Sequence, residues 1–235
     1  MDRPFDPVFA LTLLPRLLAF LPVTAGVTVA SALVGSLLGL LVARLRLSSR
    51  RVPAALGVAY VSLLRCTPSI VLLFVVYYGL PALLESAFSV PAQAWHRATF
   101  VIIALSLLFS ATMAEVFRSA WLSVDRGQAE AALSAGLSPI QAQLRIVLPQ
   151  AAVSALPNFG NALIALMKEG ALAYLVGLID MMGQGFLTIA RNYGARSLET
   201  YLALAAVYWC ITVALERLFR FAERRLTRGM KGLSS

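Results

Sequence analysis

Five long apolar stretches constrain this chain more than any other feature of its sequence. They cover residues 17–43, 52–80, 98–121, 151–178 and 199–219. Each is at least as long as the roughly 20 residues that an α-helix needs to cross a hydrocarbon core. Only 13% of the residues are charged, whereas soluble domains have about 25%. Because backbone groups in lipid must be hydrogen-bonded within the segment, the stretches predict an all-α transmembrane fold with five helices, in one domain over residues 1–235.

The arginines and lysines are divided unequally between the two sides of these spans. Two of them, Arg65 and Lys168, lie inside spans and are not counted. One side carries thirteen, namely Arg44, Arg46, Arg50, Arg51, Arg118, Arg126, Arg145, Arg217, Arg220, Arg224, Arg225, Arg228 and Lys231, and the other carries Arg3, Arg16, Arg97, Arg191 and Arg196. Basic residues are enriched in cytoplasmic loops. We therefore expect an outside N-terminus, a cytoplasmic C-terminus and a net charge of +9 that reflects topology rather than nucleic acid binding.

The longest polar interval between two spans, residues 123–150, has the pattern of a helical hairpin on the cytoplasmic side. An alanine-rich helix precedes Gly136, which can adopt the positive φ that often follows a helix end. Ser138 is suited to cap a second helix, with Pro139 in its first turn. Pro149 is predicted to end that second helix.

Two spans are interrupted by residues that are costly in lipid. Arg65 and Thr67 precede Pro68 in the second apolar stretch, which we expect to be interfacial at first and to end near residues 79–81. The fourth contains Pro157, and its polar residues predict a broken, polar-lined helix. These polar residues are Asn161, Lys168 and Glu169. Such residues usually face protein or a water-filled cavity, so a substrate pathway is one interpretation. A snorkelling Arg65 and a structural Lys168–Glu169 pair are the alternatives.

Two smaller patterns concern helix contacts. Gly35 and Gly39 form a G-x-x-x-G pair, which could let another helix approach closely. Glu115 and Arg118 are three residues apart at the cytoplasmic end of the third span, where an ion pair is expected. The tail after the fifth span has arginines opposite an apolar face, which predicts contact with membrane lipid.

Enzymatic chemistry is not expected. The chain has no glycine-rich phosphate-binding loop, so ATP would be hydrolysed by another subunit. His96 is the single histidine, and Cys66 and Cys210 have no metal-ligand spacing. We expect no catalytic residue, no metal site and no cofactor.

The hairpin carries a spaced motif: Glu-Ala-Ala, a glycine after three residues, and Ile-x-Leu-Pro after nine more. Its positions are Glu130, Ala131, Ala132, Gly136, Ile146, Leu148 and Pro149. This pattern resembles the EAA motif of the permease subunits of bacterial ABC importers. Further blocks at 64–68, 77–81, 114–118 and 148–169 resemble the branch that transports polar amino acids such as histidine, glutamine, arginine and opine-like solutes.

The resemblance implies a permease subunit of an ATP-driven amino acid importer in the bacterial plasma (inner) membrane. The hairpin would be its coupling helix, docked on a dimer of cytoplasmic ATP-binding subunits. A second permease subunit and an extracytoplasmic solute-binding protein would complete the complex. Cys66 replaces a glycine of the family, and Gly170 and Ala171 replace Thr-Ser, so a heterodimer with this chain as its structural half is favoured over a homodimer. An ATPase-independent channel or structural membrane subunit is the alternative.

Overall fold

The structure is a computed structural model that describes residues 5–230, with side chains described for residues 5–226. Arg3, Lys231 and the side chain of Arg228, which entered the charge count above, lie outside this part. The α-helices are α1 (Pro7–Leu18), α2 (Leu21–Arg46), α3 (Arg51–Cys66), α4 (Ser69–Phe74), α5 (Leu80–Phe88), α6 (Arg97–Leu122), α7 (Arg126–Ser134), α8 (Pro139–Ala142), α9 (Leu148–Gly170), α10 (Met181–Arg191) and α11 (Ser197–Met230). Two π-helical turns (Val75–Gly79 and Gln143–Val147) and two 3₁₀ turns (Ala92–Ala94 and Ala171–Val176) complete the described secondary structure.

Five helical runs among the described residues are long and apolar enough to cross a membrane, which confirms the predicted all-α fold. They are Leu21–Arg46, Ser69–Phe88, Arg97–Leu122, Pro139–Val176 and Ser197–Leu226. The third agrees with the prediction to within one residue at each end. The basic tail is a direct continuation of the fifth span, because α11 extends to Met230 without interruption.

The second apolar stretch is divided differently from the prediction. Helix α3 ends at Cys66, and Thr67 is extended, with ψ of 125°. The cause is local, since Pro68 disfavours helical geometry in the residue before it. The membrane-spanning run then begins at Ser69 and continues to Phe88, so the predicted end near residues 79–81 is wrong.

Two prolines that were predicted to end helices are accommodated by π-helical turns. Pro81 and Pro149 each stand two residues after such a turn, and the helix continues through both. A proline has no N–H and its ring clashes with the carbonyl four residues earlier in a regular helix. Before Pro149 the helix is wider, because the Leu148 N–H bonds to the Gln143 oxygen five residues back. The prediction that Pro149 ends the hairpin's second helix is therefore wrong: this arm leads directly into the fourth span.

Helix α9 is likewise unbroken, against the prediction of a broken fourth span. It passes through Pro157 and ends at Gly170. Aromatic packing supports it here, because the Phe159 ring lies 6.2 Å from Phe109 on α6 and 6.0 Å from Phe219 on α11. The regular helix gives way only at the 3₁₀ turn before Gly177, which has φ of +79°.

Helix α6 is the centre of the bundle, with Val101, Ala104 and Met113 fully buried. It is parallel to α2, and the predicted close approach at the glycine pair is confirmed. A Cβ added to Gly35 would lie 2.8 Å from the Ser106 carbonyl oxygen, and one added to Gly39 would lie 2.6 Å from Met113 Cβ. Helices α6 and α9 are antiparallel, so both lead to the hairpin at one end of the bundle, the hairpin end.

The opposite end, the far end, contains an element that the sequence analysis missed. Helix α1 packs on α10 and α11 through Leu13, Leu17 and Met181 in a separate apolar cluster. Arg196 fixes it there, bonding Asp6 at 3.2 Å and Glu199 at 3.2 Å. At 12 residues, α1 is too short to be detected as a membrane span.

Candidate functional site

The first arm of the hairpin ends in a defined left-handed turn. Helix α7 is capped by Asp125, whose carboxylate accepts the Gly127 N–H at 2.6 Å. Gly136 has φ of +87°. Its N–H bonds to Leu133 O at 3.0 Å, and the Leu137 N–H bonds to Ala132 O at 3.1 Å. These are the two hydrogen bonds of a Schellman motif, so the predicted role of Gly136 in the bend is confirmed.

The second arm starts with a capping box, as Ser138 and Pro139 predicted. The Ser138 hydroxyl accepts the Gln141 N–H at 3.3 Å, and the Gln141 side-chain oxygen accepts the Ser138 N–H at 2.9 Å. Pro139 occupies the first turn, where a missing N–H costs no helical hydrogen bond. Local sequence therefore fixes both sides of the bend.

The motif residues do not form one continuous surface. Ala132 is buried, together with Ala142 of the second arm, and Ile146 is half-buried. The other motif residues are exposed: Glu130, Ala131, Gly136, Leu148 and Pro149. Small residues thus let the two arms approach each other, and the polar and bend positions remain accessible.

The hairpin also exposes large apolar side chains that the motif did not identify. Ile140 is 71% exposed, Leu144 58% and Leu133 45%. Ile140 and Leu144 are four residues apart, so they lie on one face of the second arm. The signal was present in the sequence, as leucines and isoleucines at helical spacing in a polar loop, but exposure could be known only from the structure.

A cavity of about 390 Å³ lies between the α3–α4 junction, α6 and α9. It brings together three of the predicted pathway residues, Arg65, Thr67 and Glu169, which are far apart in sequence. The hydroxyl-bearing Ser69 and Thr112, which the sequence analysis missed, also line it. The remaining wall is mostly apolar, with Leu64, Pro68, Leu108, Phe109, Ala162, Ala165 and Leu166.

The other two predicted pathway residues lie elsewhere. Asn161 lines a second cavity of about 280 Å³ between α9 and α11, where Glu216 and Arg220 are also found. Lys168 is exposed and lines neither cavity. It points away from Glu169 because neighbours on a helix are about 100° apart.

An ionic cluster, the Glu115 cluster, joins two helices at the hairpin end. The predicted pair is confirmed, with Arg118 Nε 3.2 Å from the Glu115 carboxylate. Arg46 at the end of α2 donates a second hydrogen bond to the same carboxylate. Sequence spacing could not indicate Arg46, which is 69 residues from Glu115.

Comparison with known families and proteins gives consistent matches. Residues 35–228 match the family described as binding-protein-dependent transport system inner membrane component. The chain is 40% identical to the L-cystine transport system permease protein TcyL of Bacillus subtilis over 228 residues, 97% of this chain and 94% of that protein. It is 32% identical to the arginine transport system permease protein ArtQ of the same organism, covering 91% of this chain and 93% of that protein.

Solved structures agree with this result. The chain superposes on an amino acid ABC transporter crystallised with histidines with a TM-score of 0.81 and 29% identity, over 95% of this chain and 100% of that one. The MetNI methionine ABC transporter in an inward-facing conformation has a TM-score of 0.64 at 22% identity, over 91% of this chain and 95% of that one, which supports the fold.

Proposed function

Because the chain belongs to the family of binding-protein-dependent transport system inner membrane components, the permease subunits of ABC importers, we propose that it moves polar amino acids and is driven by a separate ATP-binding subunit. It is a multi-pass inner-membrane permease. The amino acid assignment is supported by relatives that are named as L-cystine and arginine permeases. The charge distribution supports an orientation with the hairpin end in the cytoplasm.

The observation that carries the proposal is the exposed hairpin. Its bend is fixed by Gly136 and Ser138, and Ile140 and Leu144 project from it without cover. The run Pro139–Val176 has 38 residues, well beyond the roughly 20 that a span needs, so its first residues can extend past the lipid. Clustered apolar side chains there usually mark a protein contact. A dimer of ATP-binding subunits docked here would cover them, and the second arm leads directly into α9, so a push on the hairpin would reach the membrane cavity.

The cavity is chemically suited to a zwitterion. Arg65 offers a guanidinium for a carboxylate and Glu169 a carboxylate for an ammonium group, while Thr67 and Thr112 add hydroxyls. Charge-assisted hydrogen bonds of this kind are stronger than neutral ones. The volume of about 390 Å³ lies in the range of small-molecule sites. We assign Arg65, Thr67 and Glu169 to the solute pathway on this basis.

The complete importer would contain further subunits. An extracytoplasmic solute-binding protein would deliver the amino acid to the far end, as the family description implies. A second, related permease would form the other half of the pathway. Gly170 and Ala171, which lack hydroxyls next to Glu169, support a heterodimer in which the two halves contribute differently to solute contact.

The test compares two glycines with the same geometry at opposite ends. Gly136 and Gly194 have φ of +87° and +81°, and a Cβ on either would meet no atom within 4 Å. A valine at either position is strained by its backbone alone, by about 1–2 kcal/mol. Gly136→Val is expected to abolish co-purification of the ATP-binding subunit and uptake of a radiolabelled amino acid panel (L-cystine, L-arginine, L-histidine and L-glutamine), whereas Gly194→Val retains both.

Normal uptake and normal subunit recovery by Gly136→Val would overturn the proposal. Ion conductance by the purified chain alone in planar bilayers, with uptake unaffected by either substitution, would instead favour a channel.

A further inference from the structure

The Glu115 cluster (Arg46, Glu115 and Arg118) lies where three helices meet. Glu115 on α6 accepts hydrogen bonds from Arg46 of α2 and from Arg118 one turn further along α6. Helix α3 covers the Arg46 side chain, because a Cβ added to Gly57 would lie 2.6 Å from Arg46 Cγ. The Glu115 carboxylate thus joins α2 to α6, and the aliphatic part of the Arg46 side chain packs against α3.

The burial of this cluster indicates more than a stabilising surface pair. The Arg46 side chain is only 13% exposed, and its Nε has no hydrogen-bond partner among the described residues. The guanidinium groups of Arg46 and Arg118 share the single carboxylate of Glu115. Partly buried ions of this kind add little net stability, because desolvation offsets their attraction, but removal of one partner is strongly unfavourable. Such a cluster is suited to hold helices in one relative position.

The cluster lies between the hairpin and the wall of the cavity. Arg118 is seven residues before Asp125, the residue that caps α7, so α6 leads from the cluster into the hairpin. On the other side, α3 leads from Gly57 to Arg65 at the cavity. The eight helical steps from Gly57 to Arg65 cover about 12 Å at 1.5 Å per residue.

We propose that Glu115 is a positioning residue for transport, which through Arg46 makes α2 and α3 follow α6 when the hairpin moves. The inference rests on the proposed function, since an ATP-binding subunit must move the hairpin. Neutralising Glu115 leaves the Arg46 charge without its partner and removes the ionic link at the hairpin end. Further along, the glycine contacts of α2 and the Tyr60–Ser110 hydrogen bond of α3 still hold both helices to α6. ATP hydrolysis then continues, but fewer solute molecules are moved for each ATP.

The experiment measures uptake of the amino acid panel per ATP hydrolysed. The whole complex, as recovered with its ATP-binding subunit, is reconstituted in proteoliposomes with its solute-binding protein. Glu115→Gln is expected to lower the ratio about fivefold or more, the lower end of typical coupling between distant sites. Glu85→Gln is the matched control, because Glu85 is an exposed carboxylate that accepts a hydrogen bond from Gln93 at 2.6 Å and lines neither cavity. The control keeps the wild-type ratio.

A double variant separates positioning from stability. Arg46→Met with Glu115→Gln removes both partly buried charges, so the melting temperature is expected to return towards wild type, while the transport ratio remains low. If Glu115→Gln alone assembles poorly, the double variant carries the test. A wild-type ratio in either variant would overturn the inference. A wild-type complex without an ATP-binding subunit would instead overturn the proposed function.

Discussion

The contact between α2 and α6 gives the sharpest test of the fold. Gly39→Ala adds one methyl group where its carbon would lie 2.6 Å from Met113 Cβ and 2.9 Å from the Ser110 carbonyl oxygen. Carbon atoms pack best at about 3.5–4.0 Å, so the helices must separate by roughly 1 Å, which forfeits a quarter to a half of each neighbouring contact. Overpacking of this size costs about 1–3 kcal/mol.

Gly26→Ala is the matched control on the same helix, since a Cβ there meets no atom within 4 Å. Both variants gain the general preference of helices for alanine over glycine, so the difference between their free energies of unfolding measures the contact with α6 alone. The assay is thermal unfolding of the purified protein in lipid nanodiscs. A difference of about 2 kcal/mol corresponds to a melting temperature about 4–8 °C lower for Gly39→Ala. Equal melting temperatures for the two variants would refute the close contact.

Two further predictions concern charged residues. Asp180 caps α10 and is 2% exposed, and burial raises its pKa to about 6. The folded protein therefore holds the Asp180 proton more tightly than the unfolded chain does. This stabilisation, about 3 kcal/mol, is complete below about pH 4 and is lost as the pH rises through about 6. Asp180→Asn keeps a capping oxygen, and its melting temperature between pH 4 and 7.5 is expected to be less pH-dependent than that of the wild type; identical profiles would contradict this. In the cavity, Arg65→Ala is expected to raise the KM for uptake about tenfold through loss of a charge-assisted hydrogen bond. Arg51→Ala, at the exposed start of the same helix, leaves KM unchanged, and an equal effect of both substitutions would argue against a solute contact.

Local sequence by itself determined much of this protein. The length of the apolar stretches determined five membrane-crossing helical runs, because a backbone in lipid has to satisfy its own hydrogen bonds. The hairpin bend was equally predictable, since Gly136 and Ser138 act within one turn through φ and a side-chain cap. The Glu115–Arg118 pair follows from a spacing of three residues on one helix.

Tertiary structure decided whatever depends on neighbours distant in the chain. Pro149 is predicted from sequence to end a helix, yet the helix continues past it after a π turn. Arg46 reaches Glu115 across 69 residues, and Arg65 and Glu169 line one cavity only because α3 and α9 both pack against α6. A sequence pattern indicates the conformation and the local contacts that are favourable within one helix. Which helices touch is set by the packing of their side chains, and that packing places the charges.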